Sequence, residues 1–395
     1  MLIMLIKRDI APSIKKELDS DLNIVLTGIR RVGKTTLIRS LYGEIKHQRK
    51  LYLDLENPLN QELFNKLDYE AIKQNLEGRA LGRGERLIVF LDEVQMLKKI
   101  PSIVKYLSDH YKIKFILTGS ASFYLKNLFT ESLAGRKRVF ELFPLSFSEF
   151  LNFKDPKIKK PSLNDKVTSF LYHSFEKYLN EYIEFGGFPG VVLQTSAEEK
   201  NKELNEVFTS YWQKEVLLLS DFRKTSAFRE IILLLSARTG SKLDISKIAA
   251  ELGITRVTVS EYLNFLEQSY FINRIKFFSR NIDVSYRAQK KTYFCDCGIV
   301  RQLGDIKKSS VFENLIYNFL SLKNKVYYYQ SKNKSEIDFI TKSKDKLRAF
   351  EVKTFAHQSD VNKLARLAKR LKIKNYFVVS EKFSPLPCVV YPFQL

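Results

Sequence analysis

The run Gly28-Ile-Arg-Arg-Val-Gly-Lys-Thr35 constrains the fold of this chain more than any other feature, because it directly follows an apolar stretch, Leu22 to Thr27. In a loop with this G-x-x-x-x-G-K-T spacing, successive backbone N–H groups and the start of the next helix hold phosphate groups, and the lysine neutralises their charge. This geometry needs a strand before the loop and a helix after it. The run therefore predicts an α/β unit in which a helix covers Thr35 to Tyr42.

A loop of this kind predicts ATP as the ligand, bound together with Mg²⁺. Lys34 is expected to neutralise the terminal phosphates, and the hydroxyl of Thr35 is expected to bind the magnesium ion. The predicted nucleotide-binding residues are Gly28, Ile29, Arg30, Arg31, Val32, Gly33, Lys34, Thr35, Thr36 and Asp92.

Asp92 and Glu93 end the apolar run that begins at Arg86, which reads as a strand beside the loop. The first acid suits the metal and the second suits orienting or deprotonating the attacking water. Two hydroxyls at the end of a further strand, those of Thr118 and Ser120, are candidates for sensing the γ-phosphate or holding that water. The predicted strands are Leu22 to Thr27, Lys50 to Leu55, Arg86 to Asp92 and Lys114 to Thr118, with Val139 to Leu142 as a fifth. Their alternation with helical stretches predicts a parallel sheet covered by helices.

These motifs resemble the archaeal and bacterial AAA-type P-loop ATPases from about Arg8 to Val192. The resemblance implies a helical lid that contains Gly186 to Pro189, and a homo-oligomer, such as a ring, whose subunits meet across the nucleotide. It also implies an arginine finger, for which Arg136 is the first candidate and Arg138 the second. The motifs that carry it are Gly-x-Arg-Arg-Val-Gly-Lys-Thr-Thr, Leu-Asp-Glu-Val-Gln, Leu-Thr-Gly-Ser, Leu-Ala-Gly-Arg and Pro-Leu-Ser-Phe-Ser-Glu-Phe.

A winged helix-turn-helix is predicted between Leu243 and Arg280, where a helix, a turn at Gly253 and a second helix follow each other. The second helix would read DNA, and the wing, Phe271 to Phe278, would contact its backbone. The alternative is a module that only packs against protein. The candidate DNA contacts are Thr255, Arg256, Thr258, Ser260 and Glu261 on the helix and Arg274, Lys276 and Arg280 in the wing.

Acidic residues recur on the predicted strands near the C-terminus. Glu351 and Lys353 alternate along one strand and so share one of its faces, while Asp338 lies on the strand before it and Glu313 on a preceding helix. Asp338 and Glu351 would bind Mg²⁺ against a scissile phosphate, with Lys353 as proton-handling or phosphate-binding group.

This arrangement resembles the PD-(D/E)xK restriction-endonuclease-like superfamily over roughly residues 308 to 384, although isoleucine stands where the motif's proline is expected. The resemblance implies catalytic roles for Glu313, Asp338, Glu351 and Lys353. A silenced nuclease and an ordinary strand with salt-bridged side chains are the alternatives.

The 66 Lys and Arg against 44 Asp and Glu give a formal net charge of +22, which would attract a polyanion. Double-stranded DNA is the predicted partner, and a lysine-rich surface kept for solubility is the alternative. Three cysteines cannot complete a zinc site or a disulfide scaffold, which favours the cytoplasm. No segment approaches the length that crosses a membrane, so no membrane association is expected.

Taken as a whole, the sequence predicts an α/β protein: a P-loop parallel sheet with a helical lid, then a winged helix-turn-helix and a small α/β nuclease-like domain. The predicted domains are 1–146 (ATPase), 147–234 (lid), 235–304 (winged helix) and 305–395 (nuclease-like). The predicted function is ATP hydrolysis with DNA binding and metal-dependent DNA cleavage. The alternatives are a nucleotide-gated scaffold or signalling switch with an inactive nuclease-like domain, and an ATP-modulated transcription regulator.

Overall fold

A computed structural model describes residues 6–46, 49–65, 68–119, 133, 135–217, 225–344 and 346–395. The chain forms two compact units. The first comprises Met1–Phe143, Thr209–Asp221 and Gln268–Tyr270, and the second comprises Pro144–Phe208, Phe222–Glu267 and Phe271–Leu395. Within the described residues, no helix is both long enough and apolar enough to cross a membrane.

The first unit is built on a five-stranded sheet with the order β2-β3-β4-β1-β5, in which every pairing is parallel. This confirms the predicted α/β class and its parallel sheet. The strands are β1 (Asn23–Thr27), β2 (Arg49–Asp54), β3 (Leu87–Asp92), β4 (Lys114–Thr118) and β5 (Lys137–Glu141).

The inner strands β1, β3 and β4 are buried along their whole length, because helices cover both faces of a parallel sheet and leave no solvated side. The edge strand β5 is only partly buried. The carboxyl ends of β1, β3 and β4 therefore meet at one edge of the sheet. The described helices of this part of the chain are α1 (Ala11–Lys16), α2 (Lys34–Glu44), α3 (Pro58–Glu62), α4 (Tyr69–Arg79) and α5 (Ile100–Tyr111).

The second unit begins with helices and ends with a sheet. A π-helical segment, Trp212–Leu217, continues its fourth helix and belongs to the first unit. The helices are α6 (Phe147–Lys154), α7 (Ser169–Phe185), α8 (Pro189–Val192), α9 (Ala197–Tyr211), α10 (Thr225–Ala237), α11 (Ile245–Leu252), α12 (Arg256–Gln268), α13 (Ile282–Arg287), α14 (Cys297–Gln302), α15 (Lys308–Ser321) and α16 (Gln358–Leu371).

A seven-stranded mixed sheet with the order β12-β11-β10-β9-β8-β6-β7 forms the core of this unit. Strands β8, β9 and β10 pair antiparallel, while β10 pairs parallel with β11. Strand β6 pairs with β7 and also with β8, so the sheet includes strands on both sides of the predicted boundary between residues 304 and 305. The strands are β6 (Ile272–Phe277), β7 (Lys291–Phe294), β8 (Lys325–Gln330), β9 (Glu336–Ser343), β10 (Lys346–Lys353), β11 (Asn375–Ser380) and β12 (Val389–Val390).

A tight turn at Gly186 ends α7 and packs against a buried aspartate. Gly186 has a φ of +74°, and a Cβ atom there would lie 1.9 Å from an oxygen of Asp296, so only glycine fits. The Asp296 carboxylate accepts hydrogen bonds from the backbone N–H groups of Gly187, at 2.7 Å, and of Gly298, at 2.8 Å. Two segments about a hundred residues apart in the chain are thereby joined.

The segment predicted as a wing is an interior strand of the large sheet. Strand β6 lies between β8 and β7, and Arg274 on it is bound to the side chains of Glu267 and Asn264. Arg274 is therefore engaged within the protein rather than presented to a phosphate. The helices α11 and α12 lie where the sequence placed them.

Candidate functional site

The predicted phosphate-binding loop leaves the carboxyl end of β1 and leads directly into α2. Gly28 has a φ of +148°, and a Cβ atom there would lie 2.1 Å from the carbonyl oxygen of Leu142, at the end of β5. The loop can therefore lie against the backbone of Leu142 only because residue 28 has no side chain. Gly33, also with a positive φ, precedes α2 and allows the backbone to turn into the helix.

Lys34 lies inside this loop and is only 5% exposed. Its ammonium group donates to the carbonyl oxygens of Gly28, at 2.8 Å, and of Ile29, at 3.0 Å. Burial lowers the pKa of Lys34 to about 8, while the charges of Glu93 and Glu215 act in the opposite direction. Bound phosphates would give this ammonium group stronger anionic partners than the two carbonyls.

Asp92 ends β3 and is held from both sides by hydroxyl groups. Tyr52, on β2, donates from its hydroxyl to Asp92 at 2.8 Å, and Thr118, at the end of β4, donates to the other carboxylate oxygen. Tyr52 in turn accepts a hydrogen bond from the guanidinium of Arg39 at 3.0 Å. Burial raises the pKa of Tyr52, so the phenol keeps the proton that it donates. The three parallel strands thus fix the orientation of the Asp92 carboxylate.

The donor set suits the predicted magnesium ion. Each carboxylate oxygen of Asp92 accepts one of these hydroxyl hydrogen bonds, which leaves lone pairs for a cation. Thr35, in the first turn of α2, supplies a hydroxyl oxygen, and Mg²⁺ prefers oxygen ligands of these two kinds.

Glu93 follows Asp92 with a backbone in the left-handed region, at a φ of +55°. Residues other than glycine rarely adopt this conformation, and they do so most often at functional sites. Its charge is the largest of those that raise the pKa of Lys34, so the carboxylate acts on the phosphate-binding loop. The side-chain amide of Gln95 donates to it.

Two further residues contribute to this site. Arg8 donates to the carbonyl oxygens of Val32, at 2.7 Å, and of Phe143, at 2.6 Å, so it holds the backbone of the loop. Glu215, on the π-helical segment, lies 3.4 Å from the guanidinium of Arg30. The sequence signal for Glu215 is weak: it is one acid within a helical stretch predicted as lid.

The arginine-finger candidates lie at the other edge of the sheet. Arg136 precedes β5, its carbonyl oxygen accepts from the N–H of Asn23 at the start of β1, and its side chain is bound to Asp109 at 2.7 Å. Five residues of strand, roughly 16 Å, separate that edge from the phosphate-binding loop. Arg136 therefore does not serve the nucleotide of its own subunit. The candidate Ser120 lies outside the described residues.

The second unit brings Asp338, Glu351 and Lys353 together on β9 and β10. Glu351 is 2% exposed, and one of its oxygens accepts from Lys353, at 2.9 Å, and from Lys363, at 2.8 Å. Its other oxygen is buried and has no hydrogen-bond partner among the described residues. Burial, with the charges of Glu351 and Glu313, raises the pKa of Asp338 to about 8.

Glu313, on α15, is bound to residues of β7 instead. It accepts from the hydroxyl of Tyr293 at 2.7 Å and lies 3.4 Å from the ammonium group of Lys291. In the part of the chain that the structure describes, no group of three or more His, Cys, Asp or Glu side chains is arranged to hold a metal ion. The metal site predicted at Asp338 and Glu351 stays a prediction, supported by the unpartnered oxygen of Glu351.

Comparison with protein families separates the chain into three matched parts. Residues 20–151 match the AAA domain. Residues 176–310 and 304–391 match two domains of unknown function, DUF8612 and DUF4143. The AAA match covers the phosphate-binding loop, Asp92 and Glu93, and it supports an AAA-type ATPase.

Two relatives that align over most of the chain are described as uncharacterized proteins. A protein of Haemophilus influenzae is 28% identical over 363 residues, which cover 87% of this chain and 86% of that one. A protein of Methanocaldococcus jannaschii is 26% identical over 365 residues, 89% of this chain and 80% of that one. The Walker-type ATPase of Pyrococcus abyssi has a similar fold, with a TM-score of 0.51 and 17% identity over 76% of this chain and 96% of that structure. This similarity concerns the fold, and the AAA match supports ATP binding and hydrolysis.

Proposed function

We propose that this chain is a DNA-directed ATPase that binds and hydrolyses Mg·ATP at its phosphate-binding loop, binds DNA through α12, and cleaves DNA at Asp338 and Glu351. The single observation that carries the ATPase part is the Asp92 carboxylate, fixed by two hydroxyls at the same sheet edge as the loop. The AAA match supports hydrolysis.

The residues of the first unit divide the work of hydrolysis. The loop's backbone N–H groups and Lys34 bind the phosphates, and Thr35 with Asp92 would hold the magnesium ion, which neutralises charge on the phosphate oxygens. Glu93 accepts a proton from the attacking water or orients it. Thr118 keeps the Asp92 carboxylate in place.

Hydrolysis in this proposal needs a second copy of the chain. Arg136 lies at the sheet edge opposite the phosphate-binding loop of its own subunit. From there its side chain would reach the nucleotide of a neighbouring subunit. A guanidinium delivered across a subunit boundary stabilises the charge that develops on the γ-phosphate. A homo-oligomer follows from this assignment.

The DNA-binding part of the proposal rests on α12 and on net charge. Thr255, Arg256 and Glu261 are exposed on this helix or at its start, and hydroxyl and guanidinium groups at that position contact phosphates and base edges in helix-turn-helix proteins. The net charge of +22 favours a polyanionic partner.

The cleavage part rests on the carboxylates of the large sheet. The unpartnered oxygen of Glu351 and the raised pKa of Asp338 both indicate a place where a cation would be bound favourably. Asp338 and Glu351 would hold Mg²⁺, which would activate the scissile phosphate, and Lys353 lies on the same strand face beside them.

A nucleotide-gated scaffold with a silent nuclease-like part is the second candidate. It is favoured by the contacts of Glu313, whose carboxylate is already engaged by Lys291 and Tyr293. The test is cleavage of linear, branched and single-stranded DNA with Mg²⁺ or Mn²⁺, by the wild type and by Asp338→Asn. Cleavage that the variant lacks supports the nuclease, and no cleavage of any substrate supports the scaffold. Sequence-selective binding without cleavage would instead indicate a transcription regulator.

A further inference from the structure

A carboxylate from a distant part of the chain lies at the phosphate-binding loop. Glu215 belongs to the π-helical segment Trp212–Leu217, is 2% exposed, and places a carboxylate oxygen 3.4 Å from the guanidinium of Arg30. The Arg30 side chain is only 14% exposed. This ion pair is therefore buried, and removing either charge would leave the other less well compensated.

Glu215 also acts on Lys34. Its charge is the second largest of those that raise the pKa of the Lys34 ammonium group, after that of Glu93. Arg30 and Lys34 are two cationic groups of the loop that is expected to bind phosphates. The Glu215 carboxylate and the phosphates of a nucleotide are thus anions that share the same cations.

The Glu215 carboxylate and a bound phosphate would repel each other strongly. Like charges brought together at a buried site interact through a low effective dielectric constant, so a phosphate group close to an ionised Glu215 carries a large electrostatic cost. Either the carboxylate withdraws or the nucleotide binds more weakly.

One contact of the segment that carries Glu215 is an exposed ion pair. Lys214 pairs with Glu56 at 3.6 Å, both side chains are about half exposed, and pairs of this kind contribute little to stability. The preceding residue of α9, Tyr211, is bound through its hydroxyl to that of Ser269 at 2.6 Å. π-Helical turns are rare and occur mostly at functional sites.

We propose that Glu215 is an internal competitor of the nucleotide. While the loop is empty, its carboxylate pairs with Arg30 and lies near Lys34. When Mg·ATP binds, Glu215 withdraws and segment Trp212–Leu217 rearranges. This inference rests on the proposed nucleotide site. It assigns to Glu215 a role in setting nucleotide affinity.

The chain contains its own reporter for this movement. Trp212 is the only tryptophan of the sequence and lies in the segment itself. Tryptophan emission is measured while wild-type protein is titrated with Mg²⁺ and a non-hydrolysable ATP analogue, and calorimetry gives the affinity independently. We expect a saturable change in emission with the same midpoint as binding.

Two matched variants test the competition. Glu215→Gln keeps the shape of the side chain and removes its charge, and we expect it to bind the analogue about tenfold more tightly, equivalent to about 1.4 kcal/mol. Glu198→Gln removes an exposed carboxylate from α9 and should leave the affinity unchanged. Unchanged or weaker binding by Glu215→Gln overturns the inference.

The remaining outcomes are equally decisive. If Glu215→Gln does not fold, the wild-type titration decides, because binding without any change in Trp212 emission overturns the inference. If the wild type shows no calorimetric binding at all, the nucleotide site itself is wrong and the inference fails with it. Binding that Lys34→Ala abolishes, with no effect of Glu215→Gln, overturns the role of Glu215 and leaves the site standing.

Discussion

Thr118 donates a hydrogen bond from its hydroxyl to the Asp92 carboxylate, across the neighbouring strands β4 and β3. Thr118 is fully buried, and its position at the end of β4 had made it a candidate for contact with the γ-phosphate. The structure gives it a partner in Asp92 instead, opposite the hydroxyl of Tyr52. In the proposed site, Thr118 would act on the nucleotide through the orientation of the Asp92 carboxylate.

Removing either hydroxyl should weaken magnesium binding. For Thr118→Val and Tyr52→Phe we expect the Mg²⁺ concentration for half-maximal ATPase activity to rise about fivefold to tenfold, since one hydrogen bond to a charged group is lost and relaxation offsets part of it, leaving about 1 kcal/mol. Thr118→Ser keeps the hydroxyl and should behave like the wild type. Magnesium titrations at fixed ATP measure the effect, and identical curves for all proteins would contradict it.

Lys34 and Glu93 should separate nucleotide binding from turnover. Lys34→Ala removes the ammonium group from the phosphates and should weaken ATP binding by at least roughly 100-fold in calorimetry. Glu93→Gln should bind ATP normally and turn it over roughly 100-fold more slowly, because only the group that handles the water is changed. Equal rates for the wild type and Glu93→Gln would refute the assignment.

Because the pKa of Lys34 is lowered, the affinity for ATP should fall as pH rises above 8. In the free protein this pKa is about 8, and phosphates favour the charged form, so binding takes up a proton above pH 8. Below pH 8 the lysine is already protonated, and its contribution to affinity is constant. Affinity should fall by up to about tenfold for each pH unit above 8.

Calorimetry at pH 9 in two buffers with different ionisation enthalpies measures the proton uptake directly. Lys34→Arg stays charged throughout this range, so the same experiment on that variant should show no uptake from residue 34. Equal uptake in both proteins would assign the proton to another group.

Arg136 should act on a neighbouring subunit. Arg136→Ala should lower the turnover rate by about 1,000-fold with little effect on ATP binding, as expected for an arginine finger. Mixing Arg136→Ala with Lys34→Ala should restore part of the activity, since intact loops then meet intact arginines. Arg138→Ala tests the second finger candidate, whose guanidinium pairs with Glu17, and should leave the turnover rate unchanged. Absence of recovery on mixing, in subunits shown to exchange, would exclude Arg136.

Asp338 should lower the stability of the metal-free protein as pH rises. Its folded pKa of about 8 lies above the usual value near 3.9, so folding takes up a proton between roughly pH 4 and pH 8. The contribution of Asp338 to the free energy of unfolding therefore falls across that window and is constant above it.

Asp338→Asn removes this dependence. In EDTA, we expect the variant to exceed the wild type by about 1 to 3 kcal/mol at pH 8, with little difference at pH 4. The exposed Asp305→Asn should not differ from the wild type at either pH. Added Mg²⁺ should stabilise the wild type more than Asp338→Asn, and the same response in both would argue against a metal at this carboxylate.

The sequence predicted the strands that carry the candidate nucleotide site well, because their signal is local. The strands β1, β3 and β4 lie within about one residue of their predicted positions, because strands buried on both faces are continuous apolar runs. Loop, lysine and acid pair follow such strands directly, and parallel strands bring their carboxyl ends to one edge.

Contacts between distant segments were not predictable in the same way. Tyr52 contacts Asp92 across 40 positions and Glu215 contacts Arg30 across 185, and neither spacing leaves a local periodicity. The pairing of β6 with β8 was missed for the same reason. The hairpin of β6 and β7, taken alone, has the sequence pattern of a wing. Which neighbour covers a strand depends on packing that no short motif encodes.

That pairing has a consequence for how the chain can be divided. Strand β6 covers one edge of β8, where Lys276 lies opposite Tyr327 and Phe277 opposite Tyr328. A fragment that began at residue 305 would leave the N–H and C=O groups of that edge open, and open edges recruit further strands. We expect such a fragment to aggregate, so the acids on β9 and β10 depend on the hairpin of β6 and β7 to shield the edge of their sheet.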